Sequence, residues 1–254
     1  MAIDLSTAVE DFWVARKHGE FFPRAYYDRL TSDDAYRIQL ALIDRRIAAG
    51  ERQIGWKVGL TSKAIQDQFG FHEPIFACLL EAQASGHIFG STELINPGIE
   101  TELCVHIAHG LEGTVSMVQV REAIDVVQPC FEIIETRGDP RQVMLVLADN
   151  GQARSVVAGA PVRLTPDLAL DRVSARININ GQEMATGLGS AVLDNPLNSV
   201  LWLARKLGEY GRCLRPNDII MTGSFVRQFP LAPGDVAVAD FSGIGRVETG
   251  ISKA

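Results

Sequence analysis

The hydrophobic period of this chain changes once, near residue 53, and that change limits its architecture more than any other feature. Before it, apolar residues recur at helical spacing. Thr7 and Glu10 have the spacing of a capping box, and Val9, Phe12 and Trp13 follow on one face. TSDDAYRIQLALIDRRIAAG predicts a second helix, with Ser and Asp at its entry, a stripe of Ala35, Ile38 and Leu42, and Gly50 as a stop. After it the period becomes two. In IGWKVGL, Ile54, Trp56, Val58 and Leu60 share one face, while Gly55, Lys57 and Gly59 share the other. Helices followed by a strand-rich body with inserted helices predict an α+β fold rather than a doubly wound α/β sheet. Residues 1–52 are expected to form an N-terminal helical segment packed on a body of residues 53–254, the whole being a single domain.

Within the body, TSKAIQDQFG predicts a short helix capped by Thr61 or Ser62 and ended by Gly70. IETELCVHI and PCFEIIETR are strand-like, and TVSMVQVREAIDVV between them has a helical register of Val120, Ala123, Ile124 and Val127. VSARININGQEMATG predicts a hairpin turning at Asn180-Gly181. NPLNSVLWLARKLG predicts a helix with Asn195 as cap and Pro196 at its first position. DIIMTGS and DVAVADF are short strands, with the Pro233-Gly234 turn between them, and VMLVLADNG fits strand or helix.

Several function classes lose support at once. A net charge of −7 and the lack of any Lys/Arg run disfavour nucleic-acid binding. No apolar stretch approaches the roughly 20 residues of a membrane span. MAIDLSTAVEDFW is acidic without an apolar core, so no signal peptide is expected and a cytoplasmic location is. The four cysteines, Cys78, Cys104, Cys130 and Cys213, are widely spaced, as reduced thiols in or near a core would be. No GxGxxG follows a strand and no GxSxG occurs. His106 and His109 would face opposite ways on a strand, which does not suit zinc.

The acidic pair in IETELCVHI is the feature that asks for chemistry. Glu100 and Glu102, at i and i+2, point the same way from an otherwise apolar strand. Two buried like charges are costly, so the face is wet, or a basic residue lies opposite, or a cation bridges them. Glu132 lies in a second apolar strand, with Cys130 and Ile134 on its face, and also needs a partner. Three carboxylates together would form a hard-oxygen site suited to Mg²⁺ or Mn²⁺. Lys57, flanked on its face by two glycines, fits either an exposed edge-strand lysine or a lysine beside a small anionic substrate. Thr61 and Ser62 could hold a carboxylate or merely cap a helix.

Taken in order, GWKVGLTSKAIQDQFGFHEPIFACLL, the ExE of IETEL, PCFEII, ADN, NPLNSVLWLARKL and IIMTGSF followed by PGD form a pattern. From about residue 31 to its end the chain resembles the 2-keto-4-pentenoate hydratase and 4-oxalocrotonate decarboxylase family, of the fumarylacetoacetate hydrolase-like superfamily. The resemblance implies a strand-rich α+β body, a bound Mg²⁺ or Mn²⁺, and homo-oligomers in aromatic meta-cleavage catabolism, with a related pathway enzyme as a further partner. It implies Glu100, Glu102 and Glu132 as metal ligands and Lys57 as the active-site lysine. It places Thr61, Ser62, Asn150 and Ser224 in segments lining the pocket of a small 2-oxo acid substrate. The implied reaction is hydration of a 2-hydroxydienoate. Decarboxylation is the alternative, and a non-catalytic 2-oxo-acid-binding or complex-stabilising subunit is the reading of a different class. The chain also departs from the family. Ile75 stands where hydratases carry an Asp, which tilts toward decarboxylation, whereas GSF is hydratase-like. Gly151, Gln152, Ala153 and Arg154 replace a small serine-containing stretch, and Arg154 would either meet a second carboxylate or face solvent.

Overall fold

The computed structural model describes residues 3–254; residues 1 and 2 of the expected helical segment lie outside the described residues. Helix α1 (Leu5–Lys17) starts three residues before the expected capping box would place it. Its cap is Asp4, whose carboxylate accepts from the Ser6 amide and from the Thr7 hydroxyl that sequence spacing had assigned as cap. An aspartate one position before a helical stripe satisfies the first free N–H groups as well as threonine does. Helix α2 (Ser32–Ala48) has a full capping box, Thr31 with Asp34, and buries Ala35, Ile38 and Leu42 as expected. It packs on α1 and on α5 (Val143–Ala148), the helix taken up by the ambiguous VMLVLADNG segment. From α2, the buried Gln39 amide donates to the carbonyls of Phe76 and Leu147.

The remaining helices are α3 (Lys63–Phe69), α4 (Met117–Ala123) and α6 (Pro196–Glu209). The helical register read through Val127 ends at Ala123. From Ile124 the chain is strand, because Ile124, Val126 and Val127 are β-branched and find ladder partners there.

The strands are β1 (Gly55–Gly59), β2 (Ile75–Leu79), β3 (Ala82–Ala84), β4 (Ile88–Phe89), β5 (Pro97–Ile107), β6 (Ile124–Glu135) and β7 (Ala153–Ala158). After them come β8 (Val162–Arg163), β9 (Ser174–Ile179), β10 (Gln182–Leu188), β11 (Ile219–Ser224), β12 (Phe229–Pro230), β13 (Val236–Phe241) and β14 (Gly245–Ile251). They form two sheets. The larger runs β2-β1-β11-β5-β6-β7-β3, with β12 paired to β5 and β8 to β6. The smaller runs β10-β9-β13-β14-β4, and its β13 and β14 lie against β6. Its β9–β10 hairpin turns at Asn180-Gly181, both at positive φ as a type I′ turn requires.

One pairing sets the site. β11, late in the chain, enters between β1 and β5, parallel to the first and antiparallel to the second. Gly55 makes this possible. A Cβ there would stand 1.9 Å from the Ile219 carbonyl oxygen, so the glycine admits a neighbouring backbone rather than a ligand. Helix α6 then covers β11 and β1 with a stripe that includes Leu197, Val200, Leu203 and Leu207. β5, held between β11 and β6, is buried from Thr101 to Val105.

Candidate functional site

The register of β5 on β6 puts Glu100 directly opposite Glu132 and Glu102 opposite Cys130. Side chains of directly paired residues share a face, so all three carboxylates converge. One carboxylate oxygen from each of Glu100, Glu102 and Glu132 can be chosen so that all lie within 4.8 Å of one another. A wet face does not explain them. Glu102 and Glu132 are 1% and 0% exposed, and the same face continues into an apolar cluster of Cys104, Cys130, Val156, Met221 and Leu79. All four cysteines are free thiols, three of them buried.

Lys57 reaches the group from β1. Its ammonium Nζ lies 3.2 Å from Glu132 Oε1, and both side chains are buried. The contact is an ion pair without good hydrogen-bond geometry, for neither Glu132 oxygen has a hydrogen-bond partner. Glu102 is better served, since Oε2 accepts from the Gly223 amide at 2.8 Å where the β11 ladder on β5 breaks register.

The electrostatics follow from this crowding. Burial, then Glu132 and Glu100, push the Glu102 carboxyl far above the ordinary range. Burial raises Glu132 to about 7, with Lys57 opposing and Glu100 adding to the rise. Burial pulls the Lys57 ammonium toward neutrality, but Glu132, Glu100 and Glu102 together outweigh it and hold the lysine protonated. Two buried, unpartnered oxygens on Glu132 inside a three-carboxylate cluster are what a divalent cation would satisfy, and an all-oxygen donor set fits a hard ion.

Above Lys57 and Glu100 opens a cavity of about 580 Å³. Its polar floor gives way to walls that include Ile65, Ile134, Val143 and Val146. The expected pocket residues Thr61, Ser62 and Ser224 line it. Ser62 also caps α3, accepting from the Ile65 amide at 3.4 Å, and the Ser224 hydroxyl bonds both backbone groups of Thr101. Asn150 does not line the cavity. Its side chain accepts from the Cys78 amide and donates to the Cys78 carbonyl, each at 2.8 Å. Ile75, the departure from the hydratase pattern, is buried in the cavity wall. Arg154 is turned elsewhere, paired with Glu81 and with Glu93.

Sequence reasoning named Gln152 only as part of the Gly151–Arg154 departure, without a role of its own, and did not name Arg227; both line the cavity. The Asn150-Gly151 pair, a turn signal, could have drawn attention to Gln152. Nothing in the local pattern marks Arg227.

Comparison with known proteins identifies the family. Residues 81–252 match the family model described as fumarylacetoacetate (FAA) hydrolase C-terminal. A 2-keto-4-pentenoate hydratase of Paraburkholderia xenovorans (strain LB400) is 33% identical over 235 residues, covering 89% of this chain and 86% of that protein. A 4-oxalocrotonate decarboxylase of Pseudomonas sp. (strain CF600) is also 33% identical, over 86% of this chain and 84% of its own. In structure, a 4-oxalocrotonate decarboxylase from Pseudomonas putida G7, complexed with magnesium and adipate, superposes with a TM-score of 0.88 at 30% identity, covering 97% of each chain. Carboxylates, lysine, sheet order and these likenesses lead to one assignment: the chain belongs to the 2-keto-4-pentenoate hydratase and 4-oxalocrotonate decarboxylase branch of the fumarylacetoacetate hydrolase superfamily.

Proposed function

We propose that the protein is a divalent-metal-dependent lyase that hydrates a small unsaturated 2-oxo acid, in its 2-hydroxydienoic form, in aromatic meta-cleavage catabolism. The observation that carries this is the buried cluster of Glu100, Glu102 and Glu132 beside Lys57, of which Glu100 and Lys57 line a largely apolar cavity and Glu102 and Glu132 lie buried behind them. The three glutamates would hold Mg²⁺ or Mn²⁺. When bound, the ion supplies Lewis-acid stabilisation of charge on the substrate's carboxylate and C2 oxygen.

The remaining work belongs to this chain's side chains. In the metal-free site the three acids hold Lys57 protonated, and in the reaction its Nζ would carry a proton to or from the conjugated chain. Thr61, Ser62 and Ser224 line the cavity, and their hydroxyls would orient the head carboxylate. Asn150 contributes by holding its turn against Cys78. The apolar walls take the hydrocarbon part and limit the entry of water to the floor. The family's homo-oligomeric assembly, association with a related pathway enzyme and cytoplasmic location are carried over with this reading. Among the described residues no helix is long and apolar enough to cross a membrane.

Decarboxylation is the second reading, favoured by Ile75, which puts an apolar group in the wall where a hydratase would have an acid. The deciding experiment follows dienol absorbance of 2-hydroxypenta-2,4-dienoate and 2-hydroxymuconate with and without Mg²⁺, with CO₂ measured and products identified. Mg²⁺-dependent loss to a hydrated product without CO₂ is expected. Release of CO₂ makes the protein a decarboxylase, and silence on both substrates leaves a non-catalytic binding role. Lys57→Ala should keep metal binding and lose turnover, and wild-type turnover in that variant would remove the role given to the lysine.

A further inference from the structure

The turn that follows α5 holds a side chain for which the reaction above has no use. Asn150, Gly151 and Gln152 follow one another with φ of 54°, 56° and 58°. Glycine enters this left-handed region freely and asparagine often, but glutamine does so under strain, which persists where the surroundings over-determine the backbone. They do so here. Asn150 is bonded at both ends to Cys78, and Gly151 is pressed so close to Lys57 that a Cβ would meet Lys57 Cε at 3.0 Å.

The result of this turn is the position of Gln152. It is 5% exposed and lines the cavity, and its Nε2 has no hydrogen-bond partner. An amide N–H buried without an acceptor is costly, and native structures rarely keep one without use. The next residue, Ala153, pairs with Ile134, two residues past Glu132 on β6, or about 6–7 Å along the strand. Around that point the cavity wall is otherwise apolar, with Ile134, Val143 and Val146. Gln152 is thus a buried, unpaired donor on the part of the lining that holds Ile134, two strand positions along from Glu132.

We infer that Gln152 Nε2 donates a hydrogen bond to the far end of the substrate, so that the cavity selects 2-oxo acids ending in a second carboxylate over those ending in a hydrocarbon group. The inference rests on the reading of this cavity as a 2-oxo-acid site. A carboxylate is the acceptor that forms the stronger, charge-assisted bond with such a donor. Arg227, stacked on the Phe229 ring at 4.3 Å, adds positive charge to the same cavity and favours an anionic chain end. Arg154 does not, being paired with Glu81 and Glu93.

The test is calorimetric binding, in Mg²⁺, of 2-oxohexanedioate and 2-oxohexanoate, saturated compounds with no alkene to hydrate. Wild type should bind the dioate at least about tenfold more tightly, and Gln152→Leu should remove about that factor while leaving 2-oxohexanoate within about twofold. Gln152→Asn tolerates the left-handed backbone and draws the amide back by one methylene, so it should lose the same preference even if the leucine variant fails to fold. Equal affinity of wild type for both compounds, or parallel losses on both in the variants, overturns the inference. Dioate-selective binding without turnover of any dienoate would remove the lyase reading and leave this one standing. Turnover without dioate preference would do the reverse, and no binding of either compound together with no turnover of any dienoate would remove both.

Discussion

Glu132 stands at the meeting point of every charge in the site, with Lys57 on one side, Glu100 opposite and no solvent. A cation binds its ionised form, so protons compete for the same oxygens. Burial sets that competition near neutrality for Glu132, at about 7, and raises Glu102 well above the ordinary carboxylate range as well. The apparent Mg²⁺ affinity should therefore weaken several-fold, by about fivefold from Glu132 alone, as pH falls from 7 to 6 and protons take up the oxygens the ion needs. Titration calorimetry in buffers of different ionisation enthalpy measures both the affinity and the proton count; affinity independent of pH in that range would contradict the site. At this scale the sequence was informative about identity and silent about distance. Glu100, Glu102, Glu132 and Lys57 could be picked out because charges or glycines interrupted apolar strands. That Lys57 meets Glu132 could not be read, because it depends on β11 entering between β1 and β5. The placement of Gln152, named only as part of a departure from the family, could not be read for another reason: it depends on a backbone conformation glutamine does not ordinarily favour.

Between the site and the helices lies a buried ion network that joins three elements. Arg137, just past β6, bonds Glu135 at 2.8 Å and Asp149 at 2.6 Å, and Arg16 of α1 reaches Asp149 at 3.1 Å. Asp149 immediately precedes the left-handed turn, so the network anchors the segment that carries Gln152. Arg137→Met would leave Glu135 and Asp149 short of a buried partner and should cost about 3–5 kcal/mol, read as a lower urea midpoint with an unchanged m-value. A loss below about 0.5 kcal/mol, the level of an ordinary surface change, would show the network to be unimportant to the fold. Elements with strong end signals were legible from sequence: α2 with its Thr31–Asp34 box, α6 behind Asn195-Pro196, and α3 closed by Gly70. The misplaced boundary, α4 running on past Ala123, lies where the chain passes from helix into strand with no glycine or proline between them.

Across the whole molecule, the site is a place where the fold stores repulsion. In metal-free protein Glu102 and Glu132 have folded pKa values above their unfolded ones, so the stability they contribute is present at low pH. It is lost as pH rises from the ordinary carboxylate range through about 7 for Glu132. Saturating Mg²⁺ should reverse that slope. At about one hundred times its Kd it adds roughly 2.7 kcal/mol, or several degrees of melting temperature for a chain of this size. Glu132→Gln should melt at the same temperature with or without the ion, as differential scanning calorimetry would show. The α+β class and the two-part order of the chain were legible at this scale, while the strand order was not, because hydrophobic pattern says nothing about which strand lies beside which. That order has a consequence for how the protein is made. Lys57, Glu100 and Glu132 leave the ribosome well before Ile219–Ser224, the strand that must lie between the lysine and the acids. A nascent chain therefore cannot hold the assembled site until residues 219–224 have emerged, however much of the preceding chain has folded.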